Sequence, residues 1–187
     1  MSLTNLLVPT YRNMLRTLSG LLDKAVHQRV DQADGLLSAR LAPDMYPLAS
    51  QVCFAAHQAQ EATFRLSGED IPQSLAAVAA EGRNAGDVPG SIADARARIA
   101  DALAHLDGLP DDALDAGATL QIAIELPGNI TFDMSGEQYA RDWALPQFYF
   151  HVITAYAILR HYGITLGKAD YVPHMFAYLR PGSLPSA

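Results

Sequence analysis

The segment that most constrains the fold runs from residue 145 to 163, LPQFYFHVITAYAILRHYG. It is almost wholly apolar, yet it carries Gln147 and His151 at a spacing that places both side chains on one face of a helix. Its longest apolar stretch, 145–159, is too short to cross a membrane, so we predict a helix buried in a protein core. Two polar side chains that face a core need hydrogen-bond partners or a metal ion.

Four stretches of the chain carry apolar residues at the spacing of a helix. They run from Leu7 to Arg29, from Asp44 to Gly68, from Ser91 to Gly108 and from Leu145 to Gly163. We expect Asp44 to cap the second helix and Ser91 with Asp94 to form a capping box for the third. The stretch 69–90 is rich in glycine and is predicted to be mostly loop, with a short helix across 75–80.

Between the third and the last of these helices, the pattern changes from helical to alternating. Apolar and polar residues alternate over 120–126 and again over 130–134, on either side of Pro127-Gly128-Asn129, which is typical of a β-hairpin. Pro146 then kinks or restarts the chain, and the C-terminal tail is expected to cover the bundle. We therefore predict an all-α protein, an up-down four-helix bundle with a small β-hairpin before the last helix, in a single domain of residues 1–187.

The charge and the cysteine content of the chain limit the partners that it can bind and the cellular compartment in which we expect it. The chain has 13 Lys plus Arg against 20 Asp plus Glu, a net charge of -7, which argues against nucleic-acid binding because phosphate contacts need a basic surface. Only 18 % of the residues are charged, so we expect a second copy of the chain to cover part of the surface, as a homodimer. Cys53 is the single cysteine, which excludes an intrachain disulfide and a cysteine-based metal cluster. Without a signal-peptide pattern at the N-terminus, we expect a cytoplasmic protein that binds no membrane.

His57 is the best partner for His151, because it lies midway along the second predicted helix with Glu61 one turn further on. Two imidazoles and a carboxylate are the ligand set of a catalytic divalent metal, although Glu61 also fits a solvated helix face, and Gln147 offers only an amide oxygen. The alternative is a buried hydrogen-bond cluster, in which His151 binds a glutamine or a tyrosine of a neighbouring helix. Cys53, one turn before His57, is conceivable as a thiolate nucleophile, but buried unreactive thiols are commoner.

The last predicted helix resembles the last helix of the DinB/YfiT-like superfamily of metalloenzymes. His151 is followed by Leu159-Arg160 and Gly163, which matches the superfamily's Leu-Arg-x-x-Gly ending. In those proteins a histidine on the second helix and an H-x-x-x-H pair on the last helix bind a divalent metal. The resemblance places His151 on the second histidine of that pair, Gln147 on the first, and His57 on the helix-two histidine.

Longer segments, LAPDMYPLASQV, LPQFYFHVITAYAILRHYG and LGKADY, are similar to an uncharacterised branch of the superfamily, a domain of unknown function. The resemblance implies a four-helix bundle, often a homodimer, with a divalent ion such as Zn, Ni or Fe at His57, Gln147 and His151. An amide in place of an imidazole should weaken that site. Superfamily members include transferases and isomerases that use a small thiol, so our first hypothesis is a metal-dependent enzyme of this class. The alternative is a non-catalytic homodimeric binding or stress-response protein whose polar cluster is purely structural.

Overall fold

The computed structural model of the chain describes residues 2–183, and most of them are helical. The helices are α1 (Leu3–Gln28), α2 (Leu48–Ser67), α3 (Gln73–Asn84), α4 (Ile92–Asp107), α5 (Gly136–Gln138), α6 (Leu145–His161) and α7 (Lys168–Tyr171). The strands are β1 (Gln121–Leu126) and β2 (Ile130–Ser135). Short 3-10 segments cover Asp34–Ser38, Asp115–Thr119 and Pro173–Tyr178, and a π-helical segment covers Tyr139–Ala144.

The four long helices α1, α2, α4 and α6 form the predicted bundle, and the hairpin precedes the last of them, as expected. Helix α2 lies at the centre of the bundle and contacts α1, α3, α4 and α6. Its neighbours approach closely because α2 buries small side chains, namely those of Ala55, Ala56, Ala59 and Ala62. Larger side chains on α1 and α6 fill the remaining space, and each fully buried Leu or Phe contributes roughly 1.5–3 kcal/mol to folding. Within residues 2–183, no helix has the length and hydropathy needed to cross a membrane.

Two details of the helix prediction are wrong. The short helix predicted across 75–80 is longer than expected and forms α3, Gln73–Asn84; the pattern concealed its full length because only Leu75 and Gly82 are buried on α3. Helix α2 begins at Leu48, and the residue at its N-cap position is Pro47, not Asp44. The prediction failed because an N-cap residue must directly precede the first turn of its helix, whereas an extended segment separates Asp44 from that turn.

The predicted capping box of α4 is confirmed. The Ser91 hydroxyl accepts a hydrogen bond from the Asp94 backbone N–H at 3.2 Å, and the Asp94 carboxylate accepts one from the Ser91 N–H at 2.9 Å. This reciprocal pair satisfies two backbone donors at the start of the helix. It therefore fixes the residue at which α4 begins.

The hairpin is antiparallel, with Gln121 opposite Ser135 and Leu126 opposite Ile130. Gly128 and Asn129 turn the chain with φ of 87° and 59°, a left-handed conformation that glycine and asparagine tolerate best. Ile122 and Ile124 of β1 are buried in the core, and Met134 of β2 packs against it half-buried. The hairpin is thus a half-buried ribbon supported by helices.

Close backbone packing ties both ends of the hairpin to the end of α2. A Cβ atom on Gly117 would lie 1.9 Å from the Leu66 carbonyl oxygen, and one on Gly136 would lie 1.9 Å from the Gly117 carbonyl oxygen. No side chain fits at either position. This contact places the π-helical segment Tyr139–Ala144, which follows at once, over the interior of the bundle, where Tyr139 is fully buried.

The chain restarts as α6 with Pro146 in its first turn, as the sequence predicted. The first part of the tail covers the bundle: Lys24 of α1 binds Asp170 of α7 at 2.5 Å, and the rings of Tyr156 and Tyr171 lie 5.8 Å apart. The remainder, from residue 173 to 183, is largely exposed. Residues 184–187 of the predicted tail lie outside the described part of the chain.

Candidate functional site

His151 of α6 is anchored to α2 by one hydrogen bond, and that bond fixes the tautomer of its ring. Its Nδ1 lies 2.9 Å from Oε1 of Gln51. The amide nitrogen of Gln51 donates to the carbonyl oxygen of Tyr46 at 3.1 Å, so the oxygen of that amide must face the imidazole. An oxygen only accepts, so Nδ1 carries the proton and Nε2 carries the lone pair.

The surroundings of His151 keep its ring neutral. Burial and, to a lesser extent, the neighbouring His57 lower the pKa of His151 to about 4. The ring of Phe54, on α2, lies 5.2 Å from the imidazole and shields it on one side. At pH 7 the imidazole is therefore a neutral base whose Nε2 is free to accept a proton or bind a metal ion.

His57 sits beside a carboxylate that is already engaged. Its Nδ1 lies 3.6 Å from Oε2 of Glu61, beyond hydrogen-bond distance, and both side chains are 13 % exposed. Oε1 of Glu61 accepts from Nε and Nη2 of Arg65 at 2.9 and 2.8 Å. Burial lowers the pKa of His57 more than Glu61 raises it. His57 is thus a second neutral imidazole, and the salt bridge between Glu61 and Arg65 lies beside it.

His57 of α2 and His151 of α6 interact electrostatically, since His57 contributes to the lowered pKa of His151. A metal site shared by His57, Gln147 and His151 stays a prediction. Gln147 lies one turn before His151 and is half-buried, but the amide that binds His151 is that of Gln51. Sequence reasoning missed Gln51. The only available signal was a lone glutamine between Ser50 and Val52 on a buried helix, and its partner is one hundred positions away.

His57 and His151 are the kind of side chain that binds a divalent metal ion, but two protein ligands are fewer than a catalytic site normally has. Two neutral imidazoles are suitable ligands, and the His151 ring is held from behind by an amide, as in many metal sites. A catalytic zinc site normally has three protein ligands. Within residues 2–183, however, no three His, Cys, Asp or Glu side chains are arranged to hold a metal ion. Gln147 or water would have to supply the remaining donors.

Two buried tyrosines, Tyr11 and Tyr139, complete the polar interior. Tyr11 of α1 packs edge-on against Phe148, with 4.7 Å between ring centroids. Tyr139 enters from the π-helical segment. Both hydroxyls are buried, and neither has a hydrogen-bond partner among residues 2–183. Burial raises the pKa of each, and the Glu61 carboxylate adds to the rise.

Cys53 is unsuited to act as a nucleophile. Its Sγ lies 3.7 Å from Oε1 of Glu81 on α3. Burial first, and the Glu81 carboxylate second, raise its pKa to about 12. The thiol stays protonated at pH 7, which makes it a small apolar side chain in the core.

A groove of about 330 Å³ opens between α2, α3 and α4, and its lining includes neither His57 nor His151. At its edge the ring of His105 stacks on Phe64, with 4.9 Å between centroids, and Nε2 lies 2.7 Å from the Thr63 hydroxyl. These contacts show that His105 packs in the interface between α2 and α4. The groove is therefore separate from the polar cluster between α2 and α6.

Comparisons with known proteins agree with this fold. The chain matches the family described as Domain of unknown function (DUF1993) over residues 3–172. It is similar to a crystal structure of a DinB family member protein from Shewanella denitrificans, with a TM-score of 0.74 and 31 % sequence identity over 98 % of this chain and 96 % of that one. None of the curated proteins matches the chain. The resemblance to an uncharacterised DinB-like branch is confirmed, and the chain belongs to the DUF1993 family.

Proposed function

We propose that this protein is a metal-dependent enzyme whose centre lies between α2 and α6. His57 and His151 are the imidazole ligands of a divalent ion such as Zn, Ni or Fe, and Gln147 is a weaker third donor. The substrate class is a small thiol together with the compound to which it is transferred or which it isomerises. The choice of a thiol rests on the resemblance to the DinB/YfiT-like superfamily.

One observation carries the proposal: His57 and His151 are both kept neutral and interact electrostatically, and the hydrogen bond from His151 to Gln51 leaves Nε2 of His151 free. When bound, a divalent ion lowers the pKa of a coordinated water or thiol and so supplies a nucleophile near neutral pH. Gln51 holds the His151 ring in orientation, since its own amide is fixed by the Tyr46 carbonyl. Phe54 shields that ring from water on one side, because its own ring lies against it.

Elemental analysis of protein purified without a metal-affinity tag tests this proposal. We expect about one divalent ion per chain in the wild type and its loss in His57→Ala and His151→Ala, because two imidazoles supply most of the affinity. Gln147→Ala should reduce the content less. A substoichiometric metal content that does not change in His151→Ala would rule the proposal out.

A second function is favoured by a different observation, namely that two members of the cluster are bonded to partners within the chain. The Glu61 carboxylate is bound by Arg65 and His151 is bound by Gln51, which is the pattern of a polar network that fixes helix register. In that case the protein is a non-catalytic homodimeric binding or stress-response protein. His57→Ala and His151→Ala should then lower the melting temperature equally with and without a chelator. If a chelator alone destabilises the wild type, this version fails.

A cytoplasmic location forms part of both versions. It is supported by a single cysteine that is buried as a free thiol and by the small-thiol chemistry of the first version, which needs a reducing compartment. Expression as a fluorescent fusion in bacterial cells, followed by fractionation, would test it. Recovery of the protein from the periplasmic fraction would contradict it.

A further inference from the structure

The groove between α2, α3 and α4, about 330 Å³ in volume, has no part in the centre proposed above. Its walls are largely apolar: Phe64 of α2 and Val78 of α3 are half-buried in them, and Leu75 of α3 is buried. Cavities of this size, with apolar walls and a few polar groups, are the usual binding sites of small molecules. The polar groups of the groove therefore decide which class of molecule it takes.

His105 of α4 offers the groove a hydrogen-bond acceptor. The single hydroxyl hydrogen of Thr63 is donated to the carbonyl oxygen of Gln60 at 2.8 Å. Nε2 of His105 lies 2.7 Å from the same hydroxyl, so this nitrogen must carry a proton and donate it. Burial lowers the pKa of His105, which keeps the ring neutral at pH 7. Its other nitrogen, Nδ1, therefore has a lone pair that can accept a hydrogen bond.

Gln60 of α2 supplies a second acceptor in the same part of the groove. Its Nε2 donates to the carbonyl oxygen of Ala56 at 3.1 Å, so Oε1 is the atom of the amide that remains for a ligand. Gln60 and His105 are neighbours, since the Thr63 hydroxyl binds the backbone of one and the ring of the other. A molecule that carries N–H donors complements both acceptors.

The charges at the groove favour a cation over an anion. Arg98 is the one positively charged side chain among the described residues that line it, and its charge is already compensated. Its Nε donates to Oε2 of Glu81 at 2.8 Å, and its Nη1 lies 3.5 Å from Oδ2 of Asp101. One guanidinium and two carboxylates leave a net charge of -1. Asp101 is 68 % exposed, so its carboxylate remains accessible to an ammonium group.

We propose that this groove is a binding site for a small primary amine with an apolar body, such as an arylalkylamine. The ammonium group faces Asp101 and donates a hydrogen bond to Nδ1 of His105, one helical turn further along α4. Gln60 accepts a second hydrogen bond, and the apolar body packs on Phe64 and Val78. The site is independent of the proposed metal centre, because its lining includes neither imidazole ligand of that centre.

Fluorine NMR titrations of metal-free protein with three probes of nearly equal size test the proposal. The probes are 4-fluorophenethylamine, the neutral 4-fluorophenethyl alcohol and the anionic 4-fluorophenylacetate. We expect the amine to bind with a Kd of about 1 mM, as its roughly ten heavy atoms suggest. The alcohol should bind at least about threefold more weakly, and the acid more weakly still. No binding of the amine, equal binding of all three probes or a preference for the acid would overturn the proposal.

Variants of the groove locate the binding of the amine. His105→Phe removes Nδ1 but keeps an aromatic ring against Phe64, and it should weaken binding about fivefold. Asp101→Asn, at an exposed position, should weaken it about threefold. Asp31→Asn is the matched control for the overall negative charge, because Asp31 is exposed and does not line the groove. It should bind like the wild type.

Thermal unfolding shows whether each variant folds. Gln60→Met, which removes the second acceptor, replaces His105→Phe in the comparison should that variant not fold, and the same loss of about fivefold is expected. Unchanged affinity in either groove variant, or an equal loss in Asp31→Asn, would overturn the proposal. Because the protein is free of metal, these results hold whether or not elemental analysis supports the metal centre.

Discussion

At the scale of single residues, the neutral state of His151 links the stability of the fold to pH. Burial lowers its folded pKa to about 4 from an ordinary value of 6.5. As the pH falls from 7 to 5, the unfolded chain takes up a proton on this residue and the folded chain does not. The stability contributed by the neutral ring is thus complete above pH 6.5 and is lost between 6.5 and 4.

We therefore predict that the free energy of unfolding, measured with urea, falls by about 2 kcal/mol between pH 7 and pH 5 through His151 alone. His57 should add to the fall, since its pKa is also lowered. His151→Gln should reduce the pH dependence. Equal pH dependence in the wild type and His151→Gln would contradict the assignment.

The two glutamines near His151 give a second prediction. Gln51→Ala removes the acceptor of the Nδ1 proton and leaves a buried donor unpaired, which should cost about 1–3 kcal/mol in unfolding free energy. Gln147→Ala, on the same face as His151 but not bonded to it, should cost less than about 0.5 kcal/mol. Chemical denaturation of both variants without metal measures the difference. A larger loss in Gln147→Ala would show that the wrong amide has been paired with the imidazole.

The sequence allowed the placement of His57 and His151 on the second and last long helices to be predicted, because both lie on periodic segments whose faces follow from local spacing. It did not allow Gln51 or Tyr139 to be predicted. The role of Gln51 depends on a contact between two helices far apart in the chain. Tyr139 reaches the core because it lies in a π-helical segment. The spacing of apolar residues does not predict such a segment.

At the scale of elements, one glycine governs how closely α3 approaches α2. A Cβ atom on Gly82 would lie 2.7 Å from Cε1 of Phe54 and 3.1 Å from Cβ of Cys53. Gly82→Ala must therefore displace Phe54, the ring that lies against His151. We predict a loss of about 1–3 kcal/mol in unfolding free energy from this overpacking.

Gly20→Ala is the control for that prediction. Gly20 is also inside a helix, but a Cβ atom there meets nothing within 4 Å, so alanine should stabilise the protein by about 0.5–1 kcal/mol. Urea denaturation of both variants provides the comparison. If Gly82→Ala were as stable as the wild type, α3 would not pack on α2 as described.

The helices and strands were predicted most accurately where the amphipathic pattern of the segment is clearest. Helices α1, α4 and α6 carry long apolar stripes, and the hairpin has alternating residues around a Pro-Gly-Asn turn, so local signals agreed with the fold. Helix α3 buries little, so only its central part, 75–80, could be told from the glycine-rich loop around it. The start of α2 was misjudged because Pro47 supplies no side-chain cap, and the position of a helix end then depends on tertiary packing.

At the scale of the whole molecule, we expect a homodimer formed through the outer face of α6. Phe150 and Ile153 are 53 % and 52 % exposed on that face, and exposed apolar side chains on one helix are typical of an interface. Sedimentation equilibrium should give twice the chain mass, and Phe150→Ser with Ile153→Ser should shift it to the monomer. Val88→Ser, at an exposed apolar residue elsewhere, is the control. A monomeric wild type at micromolar concentration would contradict this expectation.

Calorimetric titration of Zn²⁺ into metal-free protein tests the central claim, that the imidazoles of α2 and α6 form one site. We predict about one ion bound per chain in the wild type, with the affinity of His57→Ala and His151→Ala each at least tenfold weaker. His161→Ala, which removes an exposed imidazole from the same helix, should bind like the wild type. Failure of the wild type to bind Zn²⁺, or equal affinity in all four proteins, would contradict the claim and leave the two histidines as part of a structural network.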